Sequence, residues 1–99
     1  MIFLNRVKGS VEMKAQTFTI TAETGVHARP ATLLVNKAGQ YVSDIEISYR
    51  EKKVNLKSIM GVMSLGIPTG AEVEVTVDGN DEEEALIGIS EIIKEHLGE

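Results

Sequence analysis

Residues 71–77 read Ala71-Glu72-Val73-Glu74-Val75-Thr76-Val77. Apolar and polar residues alternate without a break, so one face of an extended segment is apolar and the other polar. A strand covered on one side only belongs to an antiparallel sheet in an α+β protein rather than to a doubly wrapped parallel sheet, and the strictness of the pattern predicts a central strand. Downstream, Asp81 and Glu84 have capping-box spacing, and Ala85, Leu86, Ile89, Ile92 and Ile93 form one apolar stripe of a last helix. Upstream, Ser58 is placed to cap a brief helical stretch, Ile59 to Leu65, which Gly66 and Pro68 stop. Before it, Ile45 to Tyr49 alternates, Arg50-Glu51-Lys52 turns the chain, and Lys53-Val54-Asn55-Leu56 returns as the second arm of a hairpin. Ala31, Leu34, Val35 and Ala38 recur at helical spacing in a segment closed by Gly39, and Thr17 to Ala22 alternates as a first strand. The order is β-α-β-β-α-β-α. It predicts an open-faced two-layer β-sandwich, a four-stranded antiparallel sheet with three helices on one face.

The chain has 99 residues, 42% apolar and 25% charged, which suits one domain. We expect that domain over residues 13–99, starting at Met13. Residues 1–12 follow no period, and Ile2-Phe3-Leu4 is too short for a signal-peptide core, so they are expected to form a disordered N-terminal extension. No apolar run approaches the roughly 18 residues of a membrane span. The absence of Cys excludes disulfides and thiol chemistry and suits the cytoplasm. Four percent aromatics and a net charge of −5 argue against nucleic-acid binding. From Asp78 onward acids predominate, with Lys94 the lone base, which reads as a solvated helix face. A partner-binding face is therefore expected within the first 77 residues.

Thr24-Gly25-Val26-His27-Ala28-Arg29-Pro30 breaks local rules without a packing reason. Pro30 is tolerated only in a first helical turn, which puts His27 at or just before a helix N-terminus. Free amides there, and the planar cation of Arg29, suit phosphate oxygens. A positive helix end also opposes protonation of a nearby imidazole, and the neutral ring is the nucleophilic form. On residue chemistry alone, an inert capping role for His27 stays open beside this one. His96, near the end of the last helix, reads as a partner for the helix dipole. Two His without Cys give a metal site little support, and no G-x-S-x-G elbow marks a hydrolase. Ile59, Met60, Val62, Met63 and Leu65 are too many apolar residues for one stripe on two helical turns. A docking patch and loose core packing both fit them.

Gly25 to Ala31 resembles the active-site motif of the histidine-containing phosphocarrier family, HPr, of the bacterial phosphoenolpyruvate-dependent sugar phosphotransferase system. Val54 to Gly66 resembles that family's second signature, and the likeness runs from Met13 to Glu99. The resemblance implies a stoichiometric carrier, not an enzyme, without cofactor or metal. His27 would accept a phosphoryl group on its δ nitrogen from enzyme I and pass it to the EIIA domains of sugar permeases. Arg29 would hold the phosphate, while Thr24, Ala28 and Pro30 would shape the site. Ser58 matches a regulatory serine of low-GC Gram-positive bacteria, which implies an ATP-dependent HPr kinase/phosphorylase and a catabolite-control transcription regulator as further partners. Ile59, Met60 and Met63 would be the docking patch, on a protein expected to act as a monomer. A branch of the family that lost sugar transport has another residue at the histidine position; this chain keeps His27. Relatives commonly carry Gly in the turn where Arg50-Glu51-Lys52 stands, and residues 1–12 have no counterpart among them.

Overall fold

The computed structural model describes residues 14–99, so the expected start at Met13 and the extension over residues 1–12 lie outside the described residues. The elements are β1 (Lys14–Thr19), α1 (Ala28–Ala38), β2 (Asp44–Tyr49), β3 (Lys52–Asn55), α2 (Ile59–Ser64), β4 (Glu72–Asp78) and α3 (Glu82–His96). They build the expected α+β sandwich, a four-stranded antiparallel sheet ordered β1-β4-β2-β3. β4 lies inside the sheet, as its alternation predicts. Phe18, Ile45, Ile47, Val73, Val75 and Val77 supply the buried face of the sheet. The helices cover it with Ala31, Leu34 and Ala38 from α1, Val62 from α2, and Ala85, Ile89 and Ile93 from α3. On the other face, Glu46, Glu72, Glu74 and Asp78 are exposed.

Three features depart from the sequence reading: the extent of β1, the β2–β3 turn and the start of α3. Among the described residues β1 already covers Lys14, which pairs with Val77, and it ends at Thr19. Beyond it Ile20 makes an isolated bridge to Gly98, and the amides of Thr21 and Ala22 donate to the Leu97 carbonyl. The β2–β3 turn is one residue tighter than expected, since Lys52 already pairs with Tyr49. Arg50 adopts the left-handed conformation there, at φ 60°, and its guanidinium lies 5.3 Å from the Tyr49 ring centroid, a cation–π contact that offsets part of the backbone cost.

The Asp81/Glu84 capping box does not form. Asp81 is the N-cap of α3 but makes no side-chain cap bond. Its carboxylate instead accepts from the amides of Val42 at 2.9 Å and Ser43 at 3.0 Å, and from the Ser43 hydroxyl. The Ser43 hydroxyl, and after it the Val42 amide, hold the Asp81 carboxyl below the usual carboxylate range. Glu82 satisfies the Gly79 amide at 3.1 Å.

Candidate functional site

The His27 segment is built from below. The chain leaves the sheet at Ile20, turns through a bond from the Gly25 amide to the Ala22 carbonyl at 2.9 Å, and anchors with the Val26 amide on the Ile67 carbonyl at 2.9 Å. Gly25 has φ 66°, and a Cβ there would collide with the Ile67 carbonyl oxygen and the Pro68 backbone. No other residue type fits this approach without strain. Val26, Pro30 and Ala31 are buried beneath the turn, while Thr24, His27, Ala28 and Arg29 are exposed.

His27 is the N-cap of α1, with extended backbone, and its ring makes no cap bond at the helix end among the described residues. Its carbonyl accepts from the Ala31 amide at 3.0 Å. Ahead of that first intrahelical bond, the amides of Ala28 and Arg29 have no backbone partner among the described residues, and Pro30 has no amide hydrogen to leave unpaired. None of the ion pairs among the described residues engages Arg29. Among the described residues, the His27 imidazole and the Arg29 guanidinium thus have no partner, and they stand by unpaired amides at a positive helix end. That arrangement favours a negatively charged group attached to the ring.

Thr24, His27, Arg29 and Pro30 line one depression of about 110 Å³, with Ala22 and Leu33 at its sides. Ala28 is adjacent in the chain but does not line it. His96 completes the lining. Sequence reasoning placed this residue only at a helix end, and no local signal ties it to His27, because the two line one depression only once the end of α3 is fastened to the loop at Thr21 and Ala22. Among the described residues no cluster of His, Cys, Asp or Glu is arranged to hold a metal ion.

Ser58 is the N-cap of α2, as expected, and its hydroxyl accepts from the Gly61 amide at 3.1 Å. The apolar residues around it divide. Val62 and Leu65 are buried, whereas Ile59, Met60 and Met63 are 38%, 80% and 41% exposed. The loose-core alternative thus gives way to a solvent-facing patch, one that does not line the depression at His27.

Residues 14–95 match the family described as the PTS HPr component phosphorylation site. A mycoplasma histidine-containing phosphocarrier protein is similar at 40% identity and a TM-score of 0.81, over 83% of this chain and 93% of that one. HPr from Thermoanaerobacter tengcongensis is similar at 46% identity and a TM-score of 0.79, over 82% and 91%. Crh, a catabolite-repression protein of Bacillus subtilis described as a swapped, intertwined dimer, is similar at 39% identity and a TM-score of 0.67, over 95% and 100%.

Proposed function

The chain belongs to the HPr family of phosphotransferase-system phosphocarriers, and from that premise we propose that His27 is its phosphoryl acceptor, loaded by enzyme I and unloaded onto the EIIA domains of sugar permeases. The observation that carries this reading is the His27 ring at the start of α1, without a cap bond among the described residues and lining one depression with Arg29, ahead of the Ala28 and Arg29 amides that no described backbone group engages. The lone pair of Nδ1 attacks phosphorus in line as the P–N bond to the donor's imidazole breaks, its electron pair returning to the departing nitrogen. The incoming ring takes over the positive charge that the departing ring gives up, so no metal or redox partner is required. What the protein contributes is position and charge. Arg29 meets the phosphoryl oxygens, the helix amides supply further donors, and Thr24, Ala28 and Pro30 fix the shape around them. Transfer between carriers of this kind takes place in the cytoplasm, and no helix of the described residues is long and apolar enough to cross a membrane.

A second, regulatory reading is favoured by Ser58, which is half-buried at the start of α2 beside the exposed Ile59, Met60 and Met63. Phosphorylation there by an HPr kinase/phosphorylase would alter docking on the patch and present the protein to a catabolite-control transcription regulator. Crh's intertwined dimer is a property of that protein; this chain is read as a monomer, whose patch is free for either set of partners. Acid lability separates the two readings, since phosphohistidine hydrolyses in acid and phosphoserine survives. The test is incubation with enzyme I and phosphoenolpyruvate followed by intact mass before and after acid. One acid-labile phosphate is expected on the parent protein and none on His27→Ala; label retained by that variant would overturn the assignment.

A further inference from the structure

His96 and His27 come from opposite ends of the chain and line the same depression. The C-terminal turn that carries His96 is fastened to the loop ahead of His27. The Leu97 carbonyl accepts from the amides of Thr21 at 2.8 Å and Ala22 at 2.9 Å, and Thr19 and Glu99 exchange backbone bonds at 2.9 and 3.0 Å. Leu97 is itself buried, so this attachment is packed as well as hydrogen-bonded. His96 is therefore held over the site by its backbone, while its side chain keeps 45% of its surface in solvent and remains free to exchange protons.

We infer that His96 is an electrostatic partner of the phosphorylated site: in its imidazolium form it supplies a second side-chain cation, beside Arg29, to the phosphoryl group on His27. The inference rests on the reading of His27 as the acceptor and adds a residue to it. The titratable and charged groups on the segments that meet at His96 include His27 and Arg29 from the other side of the depression, Glu95 on its own helix, with a carboxylate oxygen 3.8 Å from Nε2, and Glu99 in the C-terminal turn bonded to Thr19. The carbonyl end of α3 also favours a cation at this position. Phosphorylation of His27 brings about two negative charges into the depression at pH 7. Proton uptake by His96 and phosphorylation of His27 then favour each other, and by linkage to the same extent. An exposed ion pair supplies a factor of about two to five, so the titration midpoint of His96 should rise by about 0.3–0.7 pH units when His27 is phosphorylated.

The experiment uses the full chain, phosphorylated with enzyme I and phosphoenolpyruvate, with potassium phosphoramidate as a chemical donor that needs no docking partner. The His96 ring signals are followed by NMR between pH 5.5 and 8.5 in the free and phosphorylated forms. His96→Asn and His96→Lys are compared for phosphate occupancy of His27 at equilibrium with a limiting donor. The expected result is the upward shift in the parent protein, with occupancy at pH 6 about two- to fivefold lower for His96→Asn. His96→Lys, cationic throughout, should keep at pH 8 the advantage that the parent has only at low pH. An unshifted midpoint, or equal occupancy in all three proteins, with acid-labile phosphate on His27, overturns this inference and leaves the carrier reading standing. A folded protein that takes no acid-labile phosphate from either donor overturns both.

Discussion

Replacing Ser58 by Ala and by Asp separates the structural role of its hydroxyl from the effect of charge at the same place. The hydroxyl accepts the Gly61 amide at 3.1 Å as the N-cap of α2, a helix of only six residues with a single fully buried side chain, Val62. Loss of such a cap costs about 1 kcal/mol, and for a domain of this size about 1 kcal/mol lowers Tm by about 4–8 °C. Ser58→Ala should melt lower by that amount. Asp caps as well as Ser does, and its charge at a helix start adds about 0.3–1 kcal/mol, so Ser58→Asp should melt at the parent temperature or a few degrees above. Function should move the other way. The new charge adjoins Ile59, Met60 and Met63, and against an acidic partner surface each pair of unit charges about 10 Å apart costs about 0.4 kcal/mol in water. Two or three such pairs slow loading of His27 about four- to eightfold. Calorimetry and the rate of phosphorylation by enzyme I at low ionic strength, where screening is weakest, read the two effects separately. If Ser58→Ala melts with the parent, the cap is not stabilising; if Ser58→Asp is loaded as fast as the parent, the charge mechanism is wrong.

Arg29→Ala should slow phosphoryl transfer to an EIIA domain while shifting folding stability by less than about 1 kcal/mol, since the side chain is exposed; stopped-flow transfer kinetics and thermal melts check both halves. Gly25→Ala should destabilise by about 1–2 kcal/mol or more, because a Cβ in left-handed backbone meets the Ile67 carbonyl. It should also displace the turn that presents His27, read as slower loading. The Asp81 carboxyl is held below its ordinary value, so its contribution is full above the unfolded carboxylate value of about 3.9 and is lost as pH falls through the lower folded value. Asp81→Asn should therefore be less stable than the parent near neutral pH and show a flatter loss of stability below about pH 4, which urea melts across that range would measure.

Much of the fold was legible because its signals are local. Alternation over residues 71–77 marked β4 and its buried valines, and helical spacing marked the inner face of α1, since backbone period alone decides which side chains share a face. The His27-Ala28-Arg29-Pro30 run was legible for the same reason: proline's fixed φ and missing amide place the histidine at the helix start whatever the rest of the chain does. What tertiary structure alone decided are choices that no local pattern settles. Asp81 has the right spacing for a capping box, yet it bonds Ser43 and Val42 because the packed chain delivers three donors to one carboxylate. Arg50 takes a conformation suited to glycine because the paired strands require the tight turn and the Tyr49 ring lies within reach. His96 joins His27 only because Leu97 ties the end of α3 to the loop at Thr21 and Ala22. A one-dimensional pattern fixes which face a residue occupies, whereas which two faces meet depends on the closure of the whole sheet and the docking of its helices.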